Sequence, residues 1–437
     1  MAEIPAARLT PERAADSAPP IPASAVIATV LGNGLEFYDF TTYAFFAVMI
    51  GRAFFPARDP FVSLLLSVAA FGVGFVSRPL GGIVIGAYAD RAGRRPAMML
   101  SISLMAAGMM LLAATPSYAT LGVAAPLLVV FARLIQGFAL GGEVGPSTAY
   151  LLEAAPANKR GRYGVWQIAS QGAATALAGL FGVALSLIFD DVAIQAWAWR
   201  LPFIVGVAIV PIGVMLRSRL QETLDPRAAA AIHPSATHVF SALLDHRRPL
   251  VAALMLITSG TIATYVGAYM TTYALSTLHM ATGVSMGATA VTGASVLVFG
   301  AMGGTLSDRV GRKPVYLVSK LALAAAAYPA FVAINRHHTL GALLAMTGLM
   351  AALNGLGGVA LVIITESFPK SVRSAGLSTV YALAVTIFGG TTQFVVAWLI
   401  HATGDPLSPA WYLIASCAIG VAAILMIPET RDLALSD

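Results

Sequence analysis

Twelve membrane-spanning helices in two homologous six-helix halves are what this sequence predicts, and three observations carry that fold class. The 437 residues are 58% hydrophobic and 11% charged, with mean hydropathy +0.81, against roughly 25% charged residues in a soluble domain. Twelve apolar runs each reach the length a hydrocarbon core demands, about 20 residues. One charged loop occurs twice, half a chain apart.

The first twenty or so residues are rich in Pro and Ala with scattered charges, and lack the basic, apolar and cleavage-site layout of a signal peptide. Residues 1–23 are therefore expected to form a disordered cytosolic tail. The apolar runs then fall near 24–50, 61–89, 97–115, 120–152, 164–189 and 198–216, which make an N-terminal half over 24–216. A segment over 217–249 with Pro226, Pro234, Pro249 and five arginines reads as a central cytosolic linker. Runs near 250–278, 283–306, 314–334, 339–365, 375–402 and 409–427 complete a C-terminal half over 250–427, followed by a short cytosolic tail over 428–437. In lipid the backbone must satisfy its own hydrogen bonds, and runs this long without two-residue alternation are helices, not barrel strands.

The net charge of +6 is distributed for topology and not for nucleic acid. With a cytosolic N-terminus, inner segments hold 19 of the 26 basic residues, outer loops three (Arg52, Arg58, Arg336) and the spans four. That asymmetry places both termini inside a cell membrane. Cys417, the single cysteine, excludes an intrachain disulfide. The seven histidines lie in loops or near span ends, so no metal site and no cofactor is expected.

GAYADRAGRRP, from Gly86, recurs as GTLSDRVGRKP, from Gly304, an offset of 218 residues. Both copies fall between the second and third spans of their half. Glu153, Pro156 and Arg160 recur as Glu366, Pro369 and Arg373, offset by 213. Glycine permits a tight turn or a close helix approach, Asp90 can sit beside a helix N-terminus, and the arginines can pair with acids on adjacent loops. Asp90, Arg91, Arg94 and Glu153, with Asp308, Arg309, Arg312 and Glu366, are thus candidate gating residues. Such a lock must form in one state and break in another for the halves to rock.

The twelve-span layout, the duplicated loop and the Arg133-x-x-x-Gly137 element resemble the major facilitator superfamily. Within it, GNGLEFYDFTTYAF of the first span, SRPLGGIVIGAYADRAGRR of the second, RLIQGFALGGEVG of the fourth and GDPLSPAWY before the last are similar to the metabolite-proton symporters. WQIASQ and IFGGTTQ are most like the citrate and tricarballylate members. The resemblance implies import of a carboxylate such as citrate, 2-oxoglutarate or shikimate, or of a zwitterion such as proline or betaine, together with a proton. It also implies a role at substrate for Arg78, in the Arg-Pro-Leu-Gly-Gly stretch.

Ionisable groups at mid-bilayer cost at least ~2.5 kcal/mol on insertion scales. They are few: Glu36, Asp39, Arg78, Arg133 and Glu143, with Lys320 and Arg200 near span ends. The positions equivalent to Arg78 and Glu143 in the second half are Val296 and Leu356, so charge is concentrated in the first. Arg78 lies eleven residues before the inner end of its span, roughly 17 Å, and its planar fork suits a carboxylate. A salt bridge to Glu36, Asp39 or Glu143 is the rival use. Glu36 and Asp39, three apart on one helical face, are candidates for proton coupling with Glu143, because two like charges in low dielectric push at least one pKa upward.

Neutral groups that could complete a substrate cavity are Gln167, Gln171, Tyr265, Tyr269, Asn354 and Tyr381, with Thr261, Thr272, Tyr273 and Gln393 as further candidates; helix packing is the other reading of each. A drug exporter of this superfamily usually carries Gly-Pro in the fifth span, and 164–189 has no proline. No HExxH or GxSxG lies in a span, so an enzyme is not expected. The expected partners are a small carboxylate, a proton and the lipid bilayer, with the chain a monomer.

Overall fold

The computed structural model describes residues 23–92, 94–141, 144–153, 155–218, 247–368 and 373–431. The expected tail, most of the central linker and the last six residues lie outside that set. Twelve helical units follow one another. In the N-terminal half, α1 comprises Ala23–Phe45 and Ala47–Phe54, α2 Pro60–Val76 and Arg78–Ala92, and α3 Arg94–Ala114. Then come α4 (Ala124–Leu140 and Val144–Glu153), α5 (Trp166–Ile188, entered through Arg160–Gly164) and α6 (Leu201–Ser218). The C-terminal half holds α7 (Arg247–Ser276), α8 (Thr282–Val310), α9 (Arg312–His337) and α10 (Leu340–Leu356 and Ala360–Ser367). It closes with α11 (Arg373–Ala384 and Gly390–Thr403) and α12 (Ser408–Met426).

Among the described residues eight helices are long and apolar enough to cross a membrane, and Met99–Ala114, Ala124–Leu140 and Ala198–Ala208 are shorter apolar helices. The surface agrees with lipid as solvent. Leu187, Ile188 and Ile83 face outward at 82%, 72% and 71% exposure, while Asp39, Arg133 and Gln136 are fully buried. A soluble protein shows the reverse.

The halves meet along α5 against α8 and α2 against α11. Small residues allow it: a Cβ on Gly179 would meet the backbone of Ala290, and one on Gly72 the carbonyl of Gly390. Close backbone approach of this kind is how helices associate without a hydrophobic drive.

Two interruptions position the interior. Pro79 has no N–H and cannot bond the Phe75 carbonyl one turn earlier, so α2 breaks at Ser77 and the next segment begins with Arg78. The Phe75 oxygen accepts from the Ser77 N–H at the cap and from Thr386 Oγ1 of the other half, at 3.1 Å. Thr386 lies in a π-helical turn, Val385–Gly389, that joins the two segments of α11. Such single turns are frequent at functional sites.

Candidate functional site

The centre of the molecule is built on α1. Asn33 and Asp39 point inward, as do the aromatic rings of Phe40 and Tyr43, all buried. Asp39 Oδ1 accepts from Gln136 Nε2 at 3.0 Å, and Oδ2 lies 3.8 Å from Arg133 Nη1. Arg133 Nη1 donates to Gln136 Oε1 at 2.7 Å. Arg133 and Gln136, three apart on α4, thus hold the carboxylate from one helix face. The sequence left Asp39 a choice of arginines, and the fold gives it Arg133.

Both guanidiniums rest on aromatic rings. Arg133 lies 4.3 Å from the Phe40 centroid and 4.5 Å from Tyr43. Arg78, 5% exposed, lies 4.3 Å from Phe40 and 4.1 Å from Phe75, and meets the Tyr265 hydroxyl of α7. Rings supply a cation with partial electrostatic compensation where water is excluded. Arg133 Nε and Nη2 have no hydrogen-bond partner among the described residues. Glu143 lies outside the described residues, and so do the side chains of Glu36, Asp90, Arg91, Arg94 and Glu153.

A cavity of about 80 Å³ lies between the halves, with Phe40 and Tyr265 in its wall and the two arginines behind them. Gln171 of α5 and Asn354 of α10 line it. Thr292 and Thr347 line it too, and no feature of the sequence distinguished them from packing threonines. The Oγ1 atoms of both and Gln171 Nε2 are buried without a hydrogen-bond partner among the described residues. Polar atoms left so are costly unless a ligand or water takes them. Tyr381 stands behind this wall, beside Gln171.

Gln167 and Tyr269 lie elsewhere than on this cavity. The Gln167 amide is spent on Asn33: Nε2 donates to Asn33 Oδ1 at 2.7 Å, and Oε1 accepts from Ser147. Tyr269 lines a second cavity, of about 450 Å³, at the end of the bundle away from the repeated loops, together with Arg52, His279 and His401.

At the repeated-loop end Asp308 ties the two halves together. Asp308 accepts from the backbone N–H groups of Gly161 and Arg162 at 2.8 Å each, and from Arg312 Nη1 at 2.6 Å. Arg312 Nη2 reaches Glu366 Oε1 at 3.3 Å, and Glu366 Oε2 accepts from Thr430. Arg309 takes part through its carbonyl, which accepts from Arg431. Gly311 joins α8 to α9 with φ +113, a conformation that suits only glycine, so the turn expected of the loop is present in the second copy. Glu429 is a member the sequence did not single out. Its oxygens accept from the N–H groups of Arg312 at 2.8 Å and of Lys313, Thr430 and Arg431 at 3.0 Å. Burial pushes the Glu429 carboxyl up, but these four donors outweigh it and hold the group below the usual glutamate value. No group of three or more metal-ligating side chains occurs among the described residues.

Two six-helix halves joined at one end, with buried charge and a largely apolar cavity carrying a few polar groups between them, define a polytopic membrane transporter of the major facilitator superfamily. The chain belongs to the sugar (and other) transporter family, whose model matches residues 24–227 and again 221–437, once per half. It is 36% identical to a citrate-proton symporter of Klebsiella pneumoniae over 94% of this chain and 93% of that one. It is 30% identical to a proline/betaine transporter of Escherichia coli strain K12, over 93% and 84%. Among solved structures it is similar to the D-xylose-proton symporter, with TM-score 0.73, 19% identity and coverage of 93% and 98%, a likeness of fold.

Proposed function

We propose that this protein imports a small carboxylate metabolite, a di- or tricarboxylate such as citrate, together with protons by alternating access through the cell (inner) membrane, with both termini cytosolic. The observation that carries this reading is the buried centre, where the guanidiniums of Arg78 and Arg133 lie against aromatic rings and Arg133 stands beside the Asp39 carboxylate. Guanidiniums held away from water offer charge and paired donors to an anion. Relatives named citrate-proton symporters, at 36% identity over almost the whole chain, support it.

In this reading Arg78 binds a substrate carboxylate, with Tyr265, Tyr381, Gln171 and Asn354 as its polar surroundings. Gln167 acts through Asn33, and Tyr269 serves the outer path of entry. Asp39 carries the proton, with Glu36 and Glu143 as the other candidates, and its protonation releases Arg133. The Asp308–Arg312–Glu366 cluster, with Arg309 and the first-half set Asp90, Arg91, Arg94 and Glu153, gates the cytosolic end. The working unit is a monomer whose partners are substrate, proton and lipid, and the reaction is transport without chemical change.

Relatives that carry proline and betaine supply a second reading, uptake of a zwitterion. Purified protein in proteoliposomes with an acidic exterior separates the two. Citrate, tricarballylate or 2-oxoglutarate is expected to accumulate, and a protonophore to abolish the uptake. Accumulation of betaine or proline with no carboxylate uptake would sink the first reading in favour of the second.

A further inference from the structure

Lys320 stands apart from the other buried charges. It lies eight residues into α9, roughly 12 Å along the axis from Arg312, not at a span end, and is 1% exposed. Among the described residues no carboxylate comes within ion-pair distance of it. Its Nζ donates to Asn354 Oδ1 at 3.0 Å and lies 5.6 Å from the Tyr316 ring. A neutral amide and a ring face 5.6 Å away compensate only in part for removing an ammonium from water. A buried cation without a counter-charge is expected at a place that an anion visits.

The place is the central cavity. Asn354 lines it and donates through Nδ2 to Thr264 Oγ1 at 3.3 Å, and Thr264 is also in the wall. Thr347, with its buried hydroxyl, stands in the same wall. The next residue of α7, Tyr265, meets Arg78. Consecutive residues of one helix therefore contact the polar groups in front of two cations, Lys320 in the C-terminal half and Arg78 in the N-terminal half.

We propose that Lys320 and Asn354 form an anion subsite in the C-terminal half that takes a second carboxylate of the substrate, the first lying toward Arg78. The proposal rests on the carboxylate reading and narrows it to molecules with carboxylates at both ends. A monocarboxylate fills one pole only, and a betaine brings a fixed positive charge that Lys320 repels. The flexible four-carbon stem lets the ammonium leave Asn354 Oδ1 for a carboxylate in the cavity.

The experiment compares transport kinetics of tricarballylate with those of butyrate, a monocarboxylate of similar chain, in wild type, Lys320→Met, Lys320→Arg and Asn354→Asp. Losing one charge-assisted contact corresponds to at least about a tenfold change in affinity. Lys320→Met is expected to raise the tricarballylate KM by that factor with little change in kcat, and to leave inhibition by butyrate unaltered. Lys320→Arg keeps the charge and should fall between Lys320→Met and wild type. Asn354→Asp gives the ammonium an internal carboxylate, so it should reproduce the Met phenotype without removing the lysine. An unchanged tricarballylate KM in Lys320→Met overturns the subsite, and so does equal loss for both ligands, which marks a packing role. If Lys320→Met does not assemble, Asn354→Asp decides by the same criterion. Failure of the underlying carboxylate reading is distinct, because wild type itself would then accumulate no carboxylate.

Discussion

Asp39 shares Arg133 with Gln136, so adding a proton to the carboxylate changes how firmly that arginine is held. Asp39→Asn, which mimics the protonated acid permanently, is expected to abolish accumulation against a gradient while exchange between equal internal and external pools persists. Proteoliposomes assayed both ways, with and without a pH gradient, check it; uphill uptake at the wild-type level would move the role to Glu36 or Glu143. At Arg78 the geometry argues for shape as well as charge, since the guanidinium carbon lies over both the Phe40 and Phe75 rings. An ammonium cannot stack in that slot or offer two parallel donors. Arg78→Lys should therefore lose substrate affinity nearly as far as Arg78→Ala, about tenfold or more, and near-native binding in a direct titration would show that charge alone matters there. Both residues were legible because a charge inside an apolar run is conspicuous. Gln136 was not, although it lies on the face of Arg133, because an amide is ordinary in a span. Which arginine takes Asp39 depends on the crossing of α1 and α4, which no local pattern encodes.

The elements were read more completely than their contacts. The spans follow directly from the length of apolar runs, and the observed helices begin and end within a few residues of expectation. The break at Ser77 and the π turn were not expected, yet the first has its cause in Pro79. That break ties α2 to α11, because Thr386 joins the Ser77 N–H as a donor to the Phe75 oxygen. Thr386→Val keeps the shape and removes one of two donors, which should destabilise the protein by about 0.5–1.5 kcal/mol; an unchanged melting temperature in detergent would mean that the Ser77 N–H alone satisfies Phe75. Glu429, just beyond α12, gives a pH dependence with a definite sign. Its folded value lies below the ordinary glutamate value of about 4.3, so its contribution to stability is complete above that pH and declines as pH falls through the lower folded value. The melting-temperature gap between wild type and Glu429→Gln should stay constant from pH 8 to about pH 5 and narrow in stronger acid. A gap that widens on acidification would contradict the assignment.

Across the whole molecule the two halves touch along α5–α8 and α2–α11 and are latched at the repeated-loop end, while the larger cavity opens at the other. The repeat made the two-half architecture legible, and it pointed to Asp308, Arg312 and Glu366 before any contact was known. The identity of Asp308's partners was hidden, because backbone N–H groups leave no trace in a sequence pattern. Asp308→Asn should weaken the latch by the value of a charge-assisted contact, ~1.5–3 kcal/mol, and shift the population toward an open loop end. Spin labels placed on either side of that end should report longer distances, and turnover should fall far more than substrate affinity; unchanged distances would remove Asp308 from gating. The same contact is lopsided from the standpoint of inheritance. One partner is a side chain that a single codon change can erase, and the other is main chain, which every residue except proline supplies alike. Drift at Arg162 therefore leaves these two bonds intact. A loss at position 308 has no compensating substitution among these two main-chain donors, so second-site revertants should arise elsewhere, at positions that rebalance the open and closed forms.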